Sequence, residues 1–166
     1  MSKKYFFYKN ELIKEVSLDP DFDFFYFTPT IFRRKLHKGL YKKSNWIYLF
    51  WYFITLGSYK ILYIKHKESS EIAHFSNIMP KFFKYHFMKN YDLQIAHCFT
   101  YKKYRGNKLY SFALSEINNR FRDRTIWIGS HDSNIASIQI IEKLGFKKIF
   151  DVEKRTVLGI YYKRNE

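Results

Sequence analysis

One cysteine, Cys98, three prolines and six glycines are all that the 166-residue chain contains of these types. A lone cysteine excludes an internal disulfide framework and fits a reducing compartment, so a cytoplasmic location is expected. Scarce proline and glycine, no low-complexity linker and no internal repeat predict a single domain over residues 1–166. The N-terminal stretch MSKKYFFYKN lacks an apolar run of signal-peptide length. The most apolar stretch, WIYLFWYFITLG at 46–57, has about half the residues of a membrane-spanning helix. It is read as a buried helix. An interfacial segment, with its Trp and Tyr rings at a headgroup layer, is the alternative, so peripheral membrane contact stays open.

Acidic residues are also few, 15 against 30 Lys and Arg, for a net charge of +15. Such a field favours acidic partners: phosphorylated cofactors, nucleotide-linked substrates, an acidic carrier protein, anionic lipid or nucleic acid. The basic residues are spread along the chain instead of forming a tail. No zinc-finger spacing, RNA-binding aromatic motif or helix-turn-helix pattern accompanies them, which argues against nucleic acid. No metal site is assigned. The plain reading of the charge is a solvated Lys-rich surface. What is abundant is apolar: 46% hydrophobic and 22% aromatic residues predict an ordered core.

KKYFFYKN and DFDFFYFTP read as strands. TIFRRKLHKGLYKK and SNWIYLFWYFITLG read as helical or irregular, with Gly39 and Gly57 as stops. Two β-type runs around KESSE predict a hairpin. DLQIAHCFTY, 92–101, is the expected central strand, followed by a helix over about 107–121 with Leu109, Phe112, Ala113 and Ile117 on one face. TIWIGS reads as a strand. SNIASIQIIEKLG reads as a helix capped by Ser133 or Asn134 and ended by Gly145. FKKIFDVEKRTVLGIYYKR reads as two strands around a turn near Glu153-Lys154. This alternation predicts an α/β layer, in which ligands bind where strand ends meet helix N-termini. YRGNKLY, a basic Gly-containing turn opening into a helix, is a ready phosphate site on that edge.

CFTYKKYRGNKLYSFALSEI followed by IWIGSHDSNIASIQIIEKLGFKKI resembles the acetyl-CoA-binding half of the GCN5-related N-acetyltransferases (GNAT). In that family a strand leads into an Arg/Gln-x-x-Gly-x-Gly/Ala loop whose amides hold the pyrophosphate of coenzyme A. A second helix, starting near an Asn and ending in Gly-Phe, lies beside the pantetheine arm. The matching positions here are Tyr104-Arg105-Gly106, Asn134, Ser137 and Glu142 to Phe146. The resemblance covers roughly residues 92–150 and implies a GNAT-like fold: a mixed, mostly antiparallel central sheet flanked by helices. The loop's later small residues are replaced by Lys108 and Tyr110. Glycine there lets backbone approach phosphate, whereas Lys108 offers a compensating cation. A Tyr in the second place resembles a subgroup associated with surface-polysaccharide synthesis.

The resemblance implies an acetyl-CoA-dependent N-acetyltransferase whose acceptor is a small amine, in that subgroup a nucleotide-linked amino sugar. The backbone of Cys98, Phe99 and Thr100 would pair with pantetheine, and the loop residues Arg105, Gly106, Asn107, Lys108, Leu109 and Tyr110 would hold pyrophosphate, with Asn134 and Ser137 on the second helix. The family's thiolate acid is a Tyr seven residues after that Asn; Ile141 stands there, and Ser137 is the nearest hydroxyl. For the base, His74 is preferred, with Glu71 acting directly or through water as an alternative and His97 and His131 also near the cleft. His97 and Cys98 are adjacent on a strand and share a pocket only across a bulge. Cys98 lacks an evident base partner, which favours direct transfer over an acyl-enzyme. The aromatic run at 46–53 is assigned to the core, or else to an acceptor wall. Protein amines as acceptors, an acyl-carrier-protein donor and a non-catalytic basic module that binds nucleic acid or membrane are the competing readings.

Overall fold

The computed structural model describes residues 3–32, 46–81, 85–154 and 161–163. Eight strands join in one sheet: β1 Lys3–Lys9, β2 Phe22–Phe27, β3 Lys60–His66, β4 Ile72–Pro80, β5 Leu93–Thr100, β6 Ile126–His131, β7 Lys147–Lys154 and β8 Tyr161–Lys163. Their spatial order is β2-β3-β4-β5-β6-β1-β7-β8. Every neighbouring pair is antiparallel except β5 and β6, which run parallel. The mixed, mostly antiparallel sheet expected from the sequence is the one observed.

Period-2 alternation on the strands sorts their side chains to two faces. Leu62, Ile64 and Ile95 point to one face, where α2 (Leu109–Arg120) and α3 (Ile135–Leu144) cover them. The stripe Leu109, Phe112, Ala113 and Ile117 is buried there, together with Ile138, Ile141 and Leu144 of α3. On the other face Phe27, Ile61, Phe75 and Met79 pack against Tyr48 of α1 (Trp46–Ile54) and against Tyr59. Removing this apolar surface from water, at roughly 25 cal/mol per Å², is what holds the layers together.

The β3–β4 hairpin turns through Lys67–Ser70 as its KESSE segment predicts, with the His66 amide donating to the Glu71 carbonyl. Two expectations are corrected. Glu153 and Lys154 do not turn; they continue β7, and the connection to β8 lies outside the described residues. Helix α1 is not buried all round. Tyr48 is covered, but Phe50, Phe53 and Ile54 on its other side are about half exposed. Most of the 30–43 segment, with Gly39, lies outside the described residues.

Two features position the cleft described below. The ladder between β5 and β6 spans Leu93–Ile95 against Ile126–Ile128, anchored where Asp92 Oδ2 accepts from the Trp127 indole at 2.8 Å, and ends there. Beyond it β5 bulges. Phe75 pairs with Phe99 and Asn77 with Ala96, so His97 and Cys98 stand opposite the single residue Ser76, and His97 takes a left-handed φ of 49°. An extra residue of this kind bends a strand and re-aims its side chains. The two strands therefore separate at the point where both helices begin.

Candidate active site

The gap between β5 and β6 is the mouth of a cleft of about 1470 Å³. Residues 96–100 form one wall and 128–131 the other, with the loop 104–111 and the first turn of α3 across one side. The segment that links β1 to β2 straps both helices: the Lys14 amide donates to the Leu144 carbonyl and the Val16 amide to Ser115 Oγ. Its residues 14–20 also line the cleft.

The loop is built to leave amides unclaimed. After a 3-10 turn at Lys102–Tyr104, Gly106 adopts φ 95°, and a Cβ there would meet nothing within 4 Å. Lys108, the N-cap of α2, is also left-handed, with φ 53° and ψ 17°. The Lys108 side chain makes no capping hydrogen bond, and no acidic residue lies in the first turn. An α-helix opens with backbone N–H groups that have no intrahelical acceptor, and its dipole favours an anion at that end. Lys108 thus keeps the left-handed turn that a small residue would adopt more readily and adds a cation. Arg105 is turned back, its Nε donating to the Thr100 carbonyl at 3.3 Å.

Helix α3 faces the loop. Asn134 Oδ1 accepts from the Ser137 amide, as its N-cap role predicts, and Gly145 ends the helix with φ 105°. The Ser137 hydroxyl lies 3.1 Å from the Tyr110 hydroxyl of α2. Burial, followed by the nearby Cys98, raises the Tyr110 pKa far above the ordinary phenol value. Ile141 is wholly buried in the core. Tyr110, which the sequence offers only as a loop amide, therefore also brings a phenol to the cleft, which Tyr104 lines as well with its hydroxyl given to Glu71. Its signal was present: as the second residue of α2 it lies beside Leu109 in the lining of the cleft.

Behind the bulge lies a chain of hydrogen bonds. His74 Nδ1 meets Thr100 Oγ1 at 2.7 Å and Nε2 meets Ser76 Oγ at 2.8 Å, while the Ser76 hydroxyl donates to Cys98 Sγ at 3.2 Å. His74 is fully buried, and that burial lowers its pKa to about 3. It is neutral at physiological pH. With Ser76 donating to sulfur, Nε2 carries the proton and Nδ1 accepts from Thr100. Cys98 is desolvated, which pushes its thiol up to about 12 against the smaller, opposite pull of Ser76.

Glu71 is exposed and outside the cleft. It forms an ion pair with Lys103 and accepts from the Tyr104 hydroxyl at 2.9 Å; the Lys103 bond first, then Tyr104, hold its carboxyl below the usual range. His97 and His131 both line the cleft. His131 Nδ1 is engaged, 2.7 Å from Ser133 Oγ and 2.9 Å from Asp132 Oδ1. Among the described residues no cluster of His, Cys, Asp and Glu forms a metal site.

No family model and no curated protein matches the chain by sequence. Solved structures do match its fold. A GCN5-related N-acetyltransferase from Sphaerobacter thermophilus superposes with a TM-score of 0.62 at 9% identity, over 92% of this chain and 50% of that one. A tandem GNAT protein of the clavulanic acid biosynthesis pathway gives 0.59 at 12%, over 90% and 51%. A GNAT-family acetyltransferase from Colwellia psychrerythraea gives 0.58 at 8%, over 89% and 53%. The chain thus has the fold of the GCN5-related N-acetyltransferases and spans about half the length of these structures.

Proposed function

We propose that the protein is an acyltransferase that moves an acetyl group from acetyl-CoA to an amine by direct transfer. The observation that carries this reading is the uncapped start of α2, with left-handed Gly106 and Lys108, opening into a cleft between separated strands. A diphosphate there would accept from the loop amides while Lys108 neutralises part of its charge. The pantetheine arm would run along the bulged edge at Cys98, Phe99 and Thr100, between α2 and α3.

Aminolysis of a thioester needs a deprotonated amine, a polarised carbonyl and a stabilised thiolate. Backbone amides at the bulge supply the second. For the third, we assign the Tyr110 hydroxyl, positioned by Ser137. A phenol that holds its proton so firmly donates a hydrogen bond to the departing sulfur and does not ionise. For the base, His74 is enclosed and weakly basic, and Glu71 is committed to Lys103 outside the cleft. His97, exposed on the bulge, is the side chain we assign. Cys98, with its high pKa, stays a neutral wall residue.

The resemblance of the loop to the polysaccharide-associated subgroup directs acceptor screening to nucleotide-linked amino sugars. Titration calorimetry with acetyl-CoA tests the reading. Micromolar binding that Gly106→Trp abolishes in a folded protein supports it. A folded wild type that binds neither acetyl-CoA nor free coenzyme A overturns it.

A further inference from the structure

We propose that the outer face of α1 is an interfacial anchor that seats the protein on an anionic lipid surface, whatever occupies the cleft. The helix is two-sided. Tyr48 packs edge-on to Phe27 with ring centroids 5.8 Å apart, and Trp51 stacks on Tyr59 at 5.9 Å, so this side belongs to the core. The other side carries Phe50, Phe53 and Ile54, at 52, 60 and 48% exposure, and Leu56 just past the helix is 90% exposed. Single exposed apolar side chains are ordinary; four within seven residues make a patch that water does not favour. No described helix is long and apolar enough to cross a membrane, and a helix with one exposed apolar side suits the plane of a surface.

Charge selects the occupant. Residues 24–67, which contain α1, hold nine Lys or Arg and no Asp or Glu, although the whole chain has 15 acidic residues. Lys60 and Arg124 border Leu56 around a shallow pocket of about 190 Å³. Phe32, 98% exposed, lies on the same acid-free stretch. A second copy of the chain is disfavoured as the occupant, because a two-fold contact would set Lys60 and Arg124 beside their own counterparts. An acidic bilayer offers what the patch lacks: an apolar layer for the aromatic rings beneath a negative headgroup layer for the cations.

Co-sedimentation of the full chain with vesicles tests the anchor. The wild type is expected to pellet with vesicles of equal parts phosphatidylglycerol and phosphatidylcholine, to stay in solution with phosphatidylcholine alone, and to be released by high salt. The triple variant Phe50→Ser, Phe53→Ser, Leu56→Ser is expected to bind the acidic vesicles about tenfold less or worse, with unchanged thermal unfolding and unchanged acetyl-CoA affinity. Should that variant fail to fold, Phe53→Ser alone and quenching of wild-type tryptophan fluorescence by brominated lipid decide the matter. A wild type that ignores acidic vesicles overturns the proposal, as does a folded variant that binds them equally well. A wild-type dimer that the variants convert to monomer also overturns it and assigns the face to a second copy.

Discussion

Tyr110 on α2 and Ser137 on α3 hold their hydroxyls 3.1 Å apart in the wall of the cleft, which is where the proposed transfer would release its sulfur. The two helices come from different halves of the motif, and this contact makes them one site. Tyr110→Phe removes the donor and keeps the ring that packs 6.0 Å from His74. It is expected to lower kcat about a hundredfold, the cost of one lost hydrogen-bond donor in an acyl-transfer site, with little change in KM for acetyl-CoA. Ser137→Ala should lose less, because it only positions the phenol. Steady-state kinetics on the two variants checks both statements.

Cys98 is expected to react slowly with iodoacetamide at neutral pH, since burial leaves almost no thiolate. Cys98→Ala should retain transfer activity, and no acetyl group should remain on the wild-type protein after acetyl-CoA is removed. Intact mass spectrometry distinguishes direct transfer from an acyl-enzyme: a stable 98-acetyl adduct that turns over would require the covalent route.

His74 should make the fold acid-labile. Its pKa is lowered from the ordinary histidine value of 6.5 to about 3 by burial, so between those values the unfolded chain binds a proton that the native one refuses. Stability from this source is complete above about pH 6.5 and declines as pH falls toward 3, by several kcal/mol in all. His74→Gln removes the titrating group while keeping polar contacts to Thr100 and Ser76. Urea unfolding at a series of pH values should show a steeper acid decline for the wild type than for the variant.

Gly145→Ala should be severely destabilising. The residue sits at φ 105°, and an added Cβ would lie 2.2 Å from the Leu12 carbonyl oxygen. Backbone cannot yield as a side chain does, so a loss of more than about 2 kcal/mol is expected. Chemical denaturation measures it, and Gly106→Ala, where nothing lies within 4 Å, isolates the strain of a positive φ from that clash.

Helix α3 was legible from residues alone, because Asn134 and Gly145 bracket an apolar period and each does what its chemistry dictates at a helix end. The hairpin around KESSE and the buried stripe of α2 were legible for the same reason: the information is local. The bulge at His97 was not, since alternation says nothing about an extra residue until the partner strand is known. Neither was the exposed side of α1, where a run of apolar residues all round hides which side meets the core. The base candidates suffered most. His74 and Glu71 have suitable chemistry, but enclosure disarms one and Lys103 occupies the other, and both effects come from residues distant in sequence. Tyr110 was read as one more amide of the loop because its hydroxyl partner sits 27 positions away.

The first strand of the chain lies deep in the sheet. Lys3–Lys9 pairs with Ile126–His131 on one side and Lys147–Lys154 on the other, so Tyr5 faces both His131 and Val152. Both partners of this strand are distant in sequence, so its pairing is a long-range event in folding. Until that pairing forms, β1 has no ladder partner and β6 has only β5 beside it, and contacts so far apart in sequence form slowly. Docking of β1, with its buried Phe7 and Tyr8, is therefore expected to be the slow step of folding.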